Sequence, residues 1–305
     1  MDTTELRPGD VVSYSAGTTR LTGDGFRIVE RQGEVRSTAL LATIGRLWPE
    51  LVGQIFASTP MVIQAYPATV ADFSFAVCVD TYLSERVGMR TLRLAADREM
   101  PAIIVTQPCF AGHLVVEHLD HGFAWPSTVV FAAGGYPFPA SLEHWITAEL
   151  ATRGATAHFV HLYGVAEVEA GCLIGRERDD CGRVVLHRRD DISAEIRDDE
   201  LWIGLNGRAD HNTGDRFESV GDGFVSAPSE RFGARTLAAL EDWGSPEWRR
   251  RTGYVLWDGS TLIAQQRQSV TTGPDAGELP FHTFCARTGM QWLRKPEWRD
   301  PKETP

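Results

Sequence analysis

Apolar residues gather in short unbroken runs at the centre of this chain and in alternating runs after it. Residues 101–106 (PAIIVT) and 127–133 (STVVFAA) are continuous apolar stretches of strand length, as expected for strands covered on both faces. The period then changes. Leu142, Trp145, Ile146 and Leu150 fall at i, i+3, i+4 and i+8, which predicts a helix over 141–153. Ser141 is its expected N-cap and Gly154 its expected C-cap. Residues 156–162 (TAHFVHL) form the next strand, ending at Tyr163-Gly164. Strand, helix and strand in so short a span make a βαβ unit with parallel strands.

The flanks differ from the centre. Val11, Val12 and Tyr14 lead into a Gly/Thr loop and Gly23-Asp24-Gly25, a strand, loop, strand pattern. Residues 38–56 predict a helix broken near Pro49. Beyond Gly171, residues 183–187, 192–197 and 200–205 read as short strands between charged turns, an antiparallel sheet or partial barrel. Residues 254–257 and 262–266 flank Asp258-Gly259, a hairpin signal. The expected fold class is α/β: a parallel-sheet core followed by a small antiparallel β subdomain. The boundaries predicted are an α/β core over 1–170, a β-rich unit over 171–294 and a flexible tail over 295–305.

Composition narrows the function classes. Hydrophobic residues are 43% and charged residues 23% of 305, ordinary for a globular chain and against disorder. A net charge of −11 excludes general binding to nucleic-acid backbones, though a local anion site needs only a few backbone N–H groups. Five cysteines without a CxxC argue against a disulfide framework or structural zinc and suit a reducing cytoplasm. The polar start MDTTELRPGD is not a signal peptide, and no apolar run is long enough to span a membrane. Among the basic residues only Lys295 and Lys302 are lysine, so lysine chemistry is confined to the tail.

Three short motifs carry candidate chemistry. Tyr14-Ser15-Ala16-Gly17-Thr18-Thr19 offers N–H and O–H donors that can wrap a polyphosphate, without the lysine of a Walker loop; it also reads as a surface turn. In Leu162-Tyr163-Gly164-Val165-Ala166-Glu167, Tyr163 can stack on a base and Glu167 can hold Mg²⁺, or the two are a packed ring and a solvated acid. In His211-Asn212-Thr213-Gly214-Asp215, a carboxylate in a tight turn can accept both ribose hydroxyls, or the segment is an Asx-type turn. The histidines 113, 118 and 121 lack the spacing of a metal motif and read as a polar helix end or loop. His158 and His161, three apart in a strand, face opposite sides. Cys172 and Cys181 read as core or hairpin residues.

In this order the motifs resemble the adenylate-forming superfamily of acyl-CoA synthetases, luciferases and peptide-synthetase adenylation domains. YSAGTT is similar to its phosphate loop, LYGVAE to its YGxTE motif, HNTGD to its TGD motif, and FAAGGYPFP to its glycine turn. The resemblance covers roughly residues 11–225. It implies an ATP and Mg²⁺ site. Ser15, Gly17, Thr18 and Thr19 would hold the triphosphate, with Thr18, Thr19 and Glu167 in the catalytic set. Gly134, Gly135, Tyr136 and Tyr163 would frame the adenine, Asp215 would bind the ribose, and Glu167 would ligate the metal. The implied reaction joins a carboxylic acid to AMP and releases pyrophosphate. Phe110, His113, Phe131, Val160 and Val165 are expected to line an aromatic-acid pocket.

Departures accompany the likeness. Gly23 stands at the loop lysine, Ala16 at a serine and Ala166 at the threonine of YGxTE, while Arg20 adds a cation. Lys295 is the sole candidate for a lid lysine, and Gly223-Phe224 with Arg231 only loosely match the hinge. The chain looks most like the truncated, lid-less relatives, of which the acyl-adenylating protein of phenazine antibiotic biosynthesis is one type. Expected partners are a small carboxylic acid and an acyl-acceptor protein or reductase, with a homodimer covering exposed apolar surface. The alternative is a non-catalytic relative that binds nucleotide or an aromatic ligand, or scaffolds a biosynthetic complex.

Overall fold

A computed structural model describes residues 11–14, 26–29, 33–65, 75–81, 85–134, 138, 140–165, 167–205, 207–227, 254–257, 262–266 and 291–293. Strands β1 (Val11–Tyr14) and β2 (Phe26–Val29) pair antiparallel, with the loop motif between them. Helix α1 (Gly33–Leu47) is followed by α2 (Pro49–Ile55). The break falls at Trp48, whose φ of −139° is not helical, and Pro49 opens the second helix where its missing N–H costs nothing.

The centre alternates strands and helices: β3 (Met61–Ala65), β4 (Val77–Asp80), α3 (Glu85–Asp97), β5 (Ala102–Thr106), α4 (Pro108–Asp120), β6 (Thr128–Gly134), α5 (Ala140–Ala151) and β7 (Thr156–Val165). β3 pairs parallel with β4 and β5, β5 with β6, and β6 with β7. Both faces of these strands are covered. Val129, Phe131 and Ala133 of β6 belong to a core with α3, α4 and α5, whereas Val130 packs with Ile44, Trp48, Leu51 and Ile55 of the first two helices and the bend between them. That two-sided burial explains why the apolar runs are continuous rather than alternating.

The pairing then changes sense. β8 (Glu169–Arg178) runs antiparallel to β7, followed by β9 (Val184–Arg188), β10 (Ile192–Arg197), β11 (Glu200–Leu205), β12 (His211–Val220) and β13 (Gly223–Ser226). All these strands from β3 to β13 form one sheet in the order β10-β11-β12-β13-β9-β8-β7-β6-β5-β3-β4. A separate sheet holds β14 (Tyr254–Trp257), β15 (Leu262–Gln266) and β16 (Gln291–Leu293), with β14 and β15 antiparallel as their turn signal implies. The molecule is therefore mixed α/β, with parallel strands giving way to antiparallel ones.

Helix α5 shows how local sequence sets this architecture. Leu142, Ile146 and Leu150 are fully buried, each contributing about 1.5–3 kcal/mol of burial. Gly154 has φ +74°; its N–H reaches Ala151 O at 3.1 Å, and Ala155 N–H reaches Leu150 O at 3.0 Å. That is the paired 5→2 and 6→1 closure of a glycine C-cap. The helix starts at Ala140, so Ser141 lies inside its first turn instead of capping it.

One expectation is corrected here. β7 continues through Tyr163 and Gly164 to Val165, so LYGV is strand and the turn comes after it. Gly164 lies against β8: a Cβ there would sit 2.2 Å from Glu169 O and 2.8 Å from Gly171 N. The Gly164→Ala variant should accordingly lose stability by at least about 1–3 kcal/mol in urea unfolding. An unchanged midpoint would show that the β7–β8 contact is looser than this.

Candidate nucleotide site

The YGVAE and TGD segments meet. Tyr163 on β7 donates its hydroxyl to Asp215 Oδ2 on β12 at 2.7 Å, across 52 residues of sequence. The Tyr163 ring packs edge-on against Phe217, with centroids 5.0 Å apart. Burial pushes the Tyr163 phenol far above its ordinary range, and the adjoining Asp215 carboxylate adds to the shift. It therefore acts as a neutral, permanent donor. Asp215 itself is half-buried.

The TGD segment is not a tight turn between elements but lies within β12, with Asx-type bonds inside the strand. The register against β11 shifts between Glu200 and Trp202. Gly214 takes φ +67°, where a Cβ would meet no atom within 4 Å. Asn212 Oδ1 accepts the Gly214 N–H at 2.7 Å, and Thr213 Oγ1 accepts the Asp215 N–H at 3.1 Å. The segment is tied to the neighbouring strand: the Thr213 hydroxyl donates to Leu201 O at 2.9 Å, and Asn212 Nδ2 donates to Glu200 Oε2 at 2.7 Å. Bulges of this kind re-aim a side chain, here that of Asp215.

Glu167 is exposed on the β7–β8 turn. Gly134 is the last residue of β6, where a Cβ would lie 3.1 Å from Leu162 O, so its lack of a side chain serves close strand packing. Ser15, Gly17, Thr18, Thr19, Arg20, Gly135, Tyr136, Arg231 and Lys295 lie outside the described residues, as does the tail 295–305.

The donor set suits a nucleotide and a hard cation. A partly exposed carboxylate fixed by a phenol is a fit acceptor for paired ribose hydroxyls. Glu167 would supply one oxygen ligand to Mg²⁺, which ordinarily completes its octahedron with phosphate oxygens and water. Among the described residues no three His, Cys, Asp or Glu form an all-protein metal cage.

The pocket expected for an aromatic acid is not assembled from the residues named for it. Phe110 and Phe131 are buried in the core with α4 and α5, Val160 in the opposite core with α1 and α2, and Val165 packs in the antiparallel part. Alternation along β6 and β7 sends these side chains to different faces. His118 is also not the polar helix end expected. It is fully buried, edge-on to Trp125 at 4.3 Å, with Nε2 3.0 Å from Ala124 O, and burial pushes its pKa down. Cys172 is buried and Cys181 exposed in the β8–β9 turn, as read. His158 and His161 do face opposite sides, toward Gln54 of α2 and Glu143 of α5.

One polar group at this edge of the sheet was not legible from sequence. Glu143, in the first turn of α5, lies 3.0 Å from His161 Nε2 and accepts a hydrogen bond from Arg178 Nη2 of β8. Arg178 also donates to Phe138 O and to Gly182 O, both at 2.8 Å. Burial raises the Glu143 carboxyl, but the Arg178 guanidinium and the adjoining His161 imidazole outweigh it and hold the group below the ordinary carboxylate value. A lowered folded-state value means Glu143 stabilises the fold above its ordinary pKa of 4.5, and that contribution fades as pH falls through the folded value. Denaturation series between pH 7 and pH 3 should thus show a flatter acid slope for Glu143→Gln than for wild type (roughly the range over which such groups titrate). Equal slopes would remove Glu143 as an acid-sensitive group.

No protein-family profile matches the chain, and no curated sequence matches it. Solved structures do. The chain is similar to an acyl-CoA synthetase (AMP-forming)/AMP-acid ligase II-like protein from Dyadobacter fermentans, at 12% identity and TM-score 0.43 over 96% of this chain and 82% of that one. It is similar to a fatty acyl-adenylate ligase from L. pneumophila, solved with acyl adenylate and pyrophosphate, at 11% identity and TM-score 0.47 over 90% and 62%. It is similar to the amide bond synthetase McbA from Marinactinospora thermotolerans, at 16% identity and TM-score 0.46 over 76% and 52%. The chain spans less than two thirds of the length of the last two. Among its described residues no helix is long and apolar enough to cross a membrane.

Proposed function

We propose that this protein uses ATP to activate a carboxylic acid as its acyl-adenylate. A carboxylate oxygen attacks the α-phosphorus, the bond to the bridging oxygen of pyrophosphate breaks, and acyl-AMP and pyrophosphate form. The observation that carries the reading is the Tyr163–Asp215 hydrogen bond, which joins two of the sequence motifs at one point. Asp215 would accept the ribose hydroxyls while the Tyr163 hydroxyl holds its carboxylate in place. Glu167 would ligate Mg²⁺, which neutralises charge gained by the phosphates during transfer. The loop with Ser15, Gly17, Thr18 and Thr19 would hold the triphosphate, and Gly134, Gly135 and Tyr136 the adenine. The substrate class proposed is an aromatic acid of specialised metabolism, passed on to a separate acceptor protein or reductase.

A second reading is favoured by Gly23 and Ala166 at positions where the resembled motifs carry lysine and threonine. It is a protein that binds nucleotide without turning it over. Calorimetric titration of ATP and AMP with Mg²⁺ tests what both readings share, and binding is expected. An absence of heat and of competition with a fluorescent ATP analogue would sink both. Carboxylate-dependent pyrophosphate release then separates them.

A further inference from the structure

We propose that Glu200 and Asn212 are positioning residues: as a bonded pair they set the aim of Asp215 and, through it, the preference for ribose over 2′-deoxyribose. The inference rests on the nucleotide reading above. It starts in the pairing of β11 with β12. Glu200 lies opposite Arg216 and Trp202 opposite Asn212, so two steps along β11 face four along β12. The surplus is taken up at Thr213, Gly214 and Asp215, with Gly214 at φ +67°. Residues in surplus lose their ladder partners, so side chains have to fix them.

Glu200 spans this bulge from end to end. Its backbone sits opposite Arg216, while its side chain reaches Asn212, Oε2 accepting the Nδ2–H at 2.7 Å. Asn212 passes the constraint on, because its Oδ1 accepts the Gly214 N–H at 2.7 Å. The orientation of the amide follows from its partners, a carboxylate that accepts and a backbone N–H that donates. Turning it over would lose both bonds. The far end is held as well: Phe217 N–H donates to Asp199 O at 3.1 Å, and Arg216 Nη2 lies 3.3 Å from Asp199 Oδ2. Asp215 follows directly on the fixed Gly214, with its N–H on Thr213 Oγ1 and its Oδ2 accepting the Tyr163 hydroxyl. A carboxylate accepts two neighbouring hydroxyls only in a narrow range of orientations, and a small rotation keeps one bond at the expense of the other. Loosening the Glu200–Asn212 strap should therefore erode discrimination at the 2′ position, which a general loss of stability would not do.

The test uses the full chain and compares ATP with 2′-deoxy-ATP by calorimetry, with Mg²⁺. Wild type should prefer ATP by at least about tenfold, the worth of one charge-assisted hydrogen bond. Asn212→Asp keeps an acceptor for the Gly214 N–H but sets a second carboxylate against Glu200, and the preference should fall to about threefold or less. Adding Glu200→Gln to Asn212→Asp restores a donor and an acceptor in reversed order, and should regain most of the preference. Glu200→Ala, measured in the same way, serves if Asn212→Asp does not fold. A folded Asn212→Asp or Glu200→Ala variant with wild-type preference would overturn the positioning role and leave the nucleotide reading standing. A double variant no better than Asn212→Asp would overturn the bonded pair as the cause. Wild type that binds both nucleotides equally would overturn the ribose contact, and wild type that binds neither would overturn the nucleotide reading itself.

Discussion

Asp215→Ala should lower the affinity for ATP and AMP by at least about 100-fold. A carboxylate that accepts two ribose hydroxyls makes two charge-assisted hydrogen bonds, each worth about 1.5–3 kcal/mol, and each 1.4 kcal/mol is about tenfold. The same substitution removes the acceptor of the buried Tyr163 hydroxyl, so some stability is lost as well. Asp215→Asn separates the effects. It keeps an oxygen for Tyr163 but gives up the charge, and should retain more stability than Asp215→Ala while still binding nucleotide poorly. Tyr163→Phe acts one step back, leaving the carboxylate in place but less firmly held, and a loss of about 5–10-fold is expected. Calorimetry on the three variants checks the order. Nucleotide affinity insensitive to Asp215 would place the ribose elsewhere.

The largest effect on stability is expected at Arg189. Its side chain is 2% exposed and lies 3.1 Å from Glu169 Oε2, itself on a side chain only 5% exposed. Two further bonds, Nε to Asp191 Oδ1 at 2.5 Å and Nη2 to Asp191 Oδ2 at 3.0 Å, complete a bidentate pair. Removing the cation would break a buried ion pair, which costs about 3–5 kcal/mol. Arg189→Ala should therefore shift the urea midpoint strongly, whereas removal of an exposed pair such as Arg46–Asp190, 2.9 Å apart at the surface, should change it little. Equal, small shifts would mean that Glu169 finds another partner or water. Because β8 begins at Glu169, directly after the Glu167 turn, folded Arg189 variants should also show weaker nucleotide binding.

Local chemistry was legible in the sequence; long-range pairing was not. The helix break at Trp48-Pro49, the cap at Gly154 and the apolar strands β5 and β6 each follow from residues within one turn or one run. Helix α3 carries a comparable signal: Gly88, Leu92 and Ala95 are buried on one face at spacings of four and three. The TGD segment carries the local signature of a turn, because Asn212 and Thr213 bond backbone N–H groups two residues on. What makes it a bulged strand is contact with Glu200 and Leu201, which no local pattern announces. The Glu143–Arg178 bond spans 35 residues and the Tyr163–Asp215 bond 52, so the residues could be named as candidates only where a motif marked them. Glu143, His161 and Arg178 have no such mark as a group.

Acyl-adenylate formation is read most simply as carboxylate-dependent pyrophosphate release. Purified protein would be given ATP, Mg²⁺ and a panel of aromatic and amino-acid carboxylates, with mass analysis for the AMP-linked product. Pyrophosphate formed in step with an acyl-AMP is expected for at least one aromatic acid, and neither product in Asp215→Ala. ATP bound tightly, but with no pyrophosphate above background for any acid, would contradict it and leave a nucleotide-binding protein without the reaction.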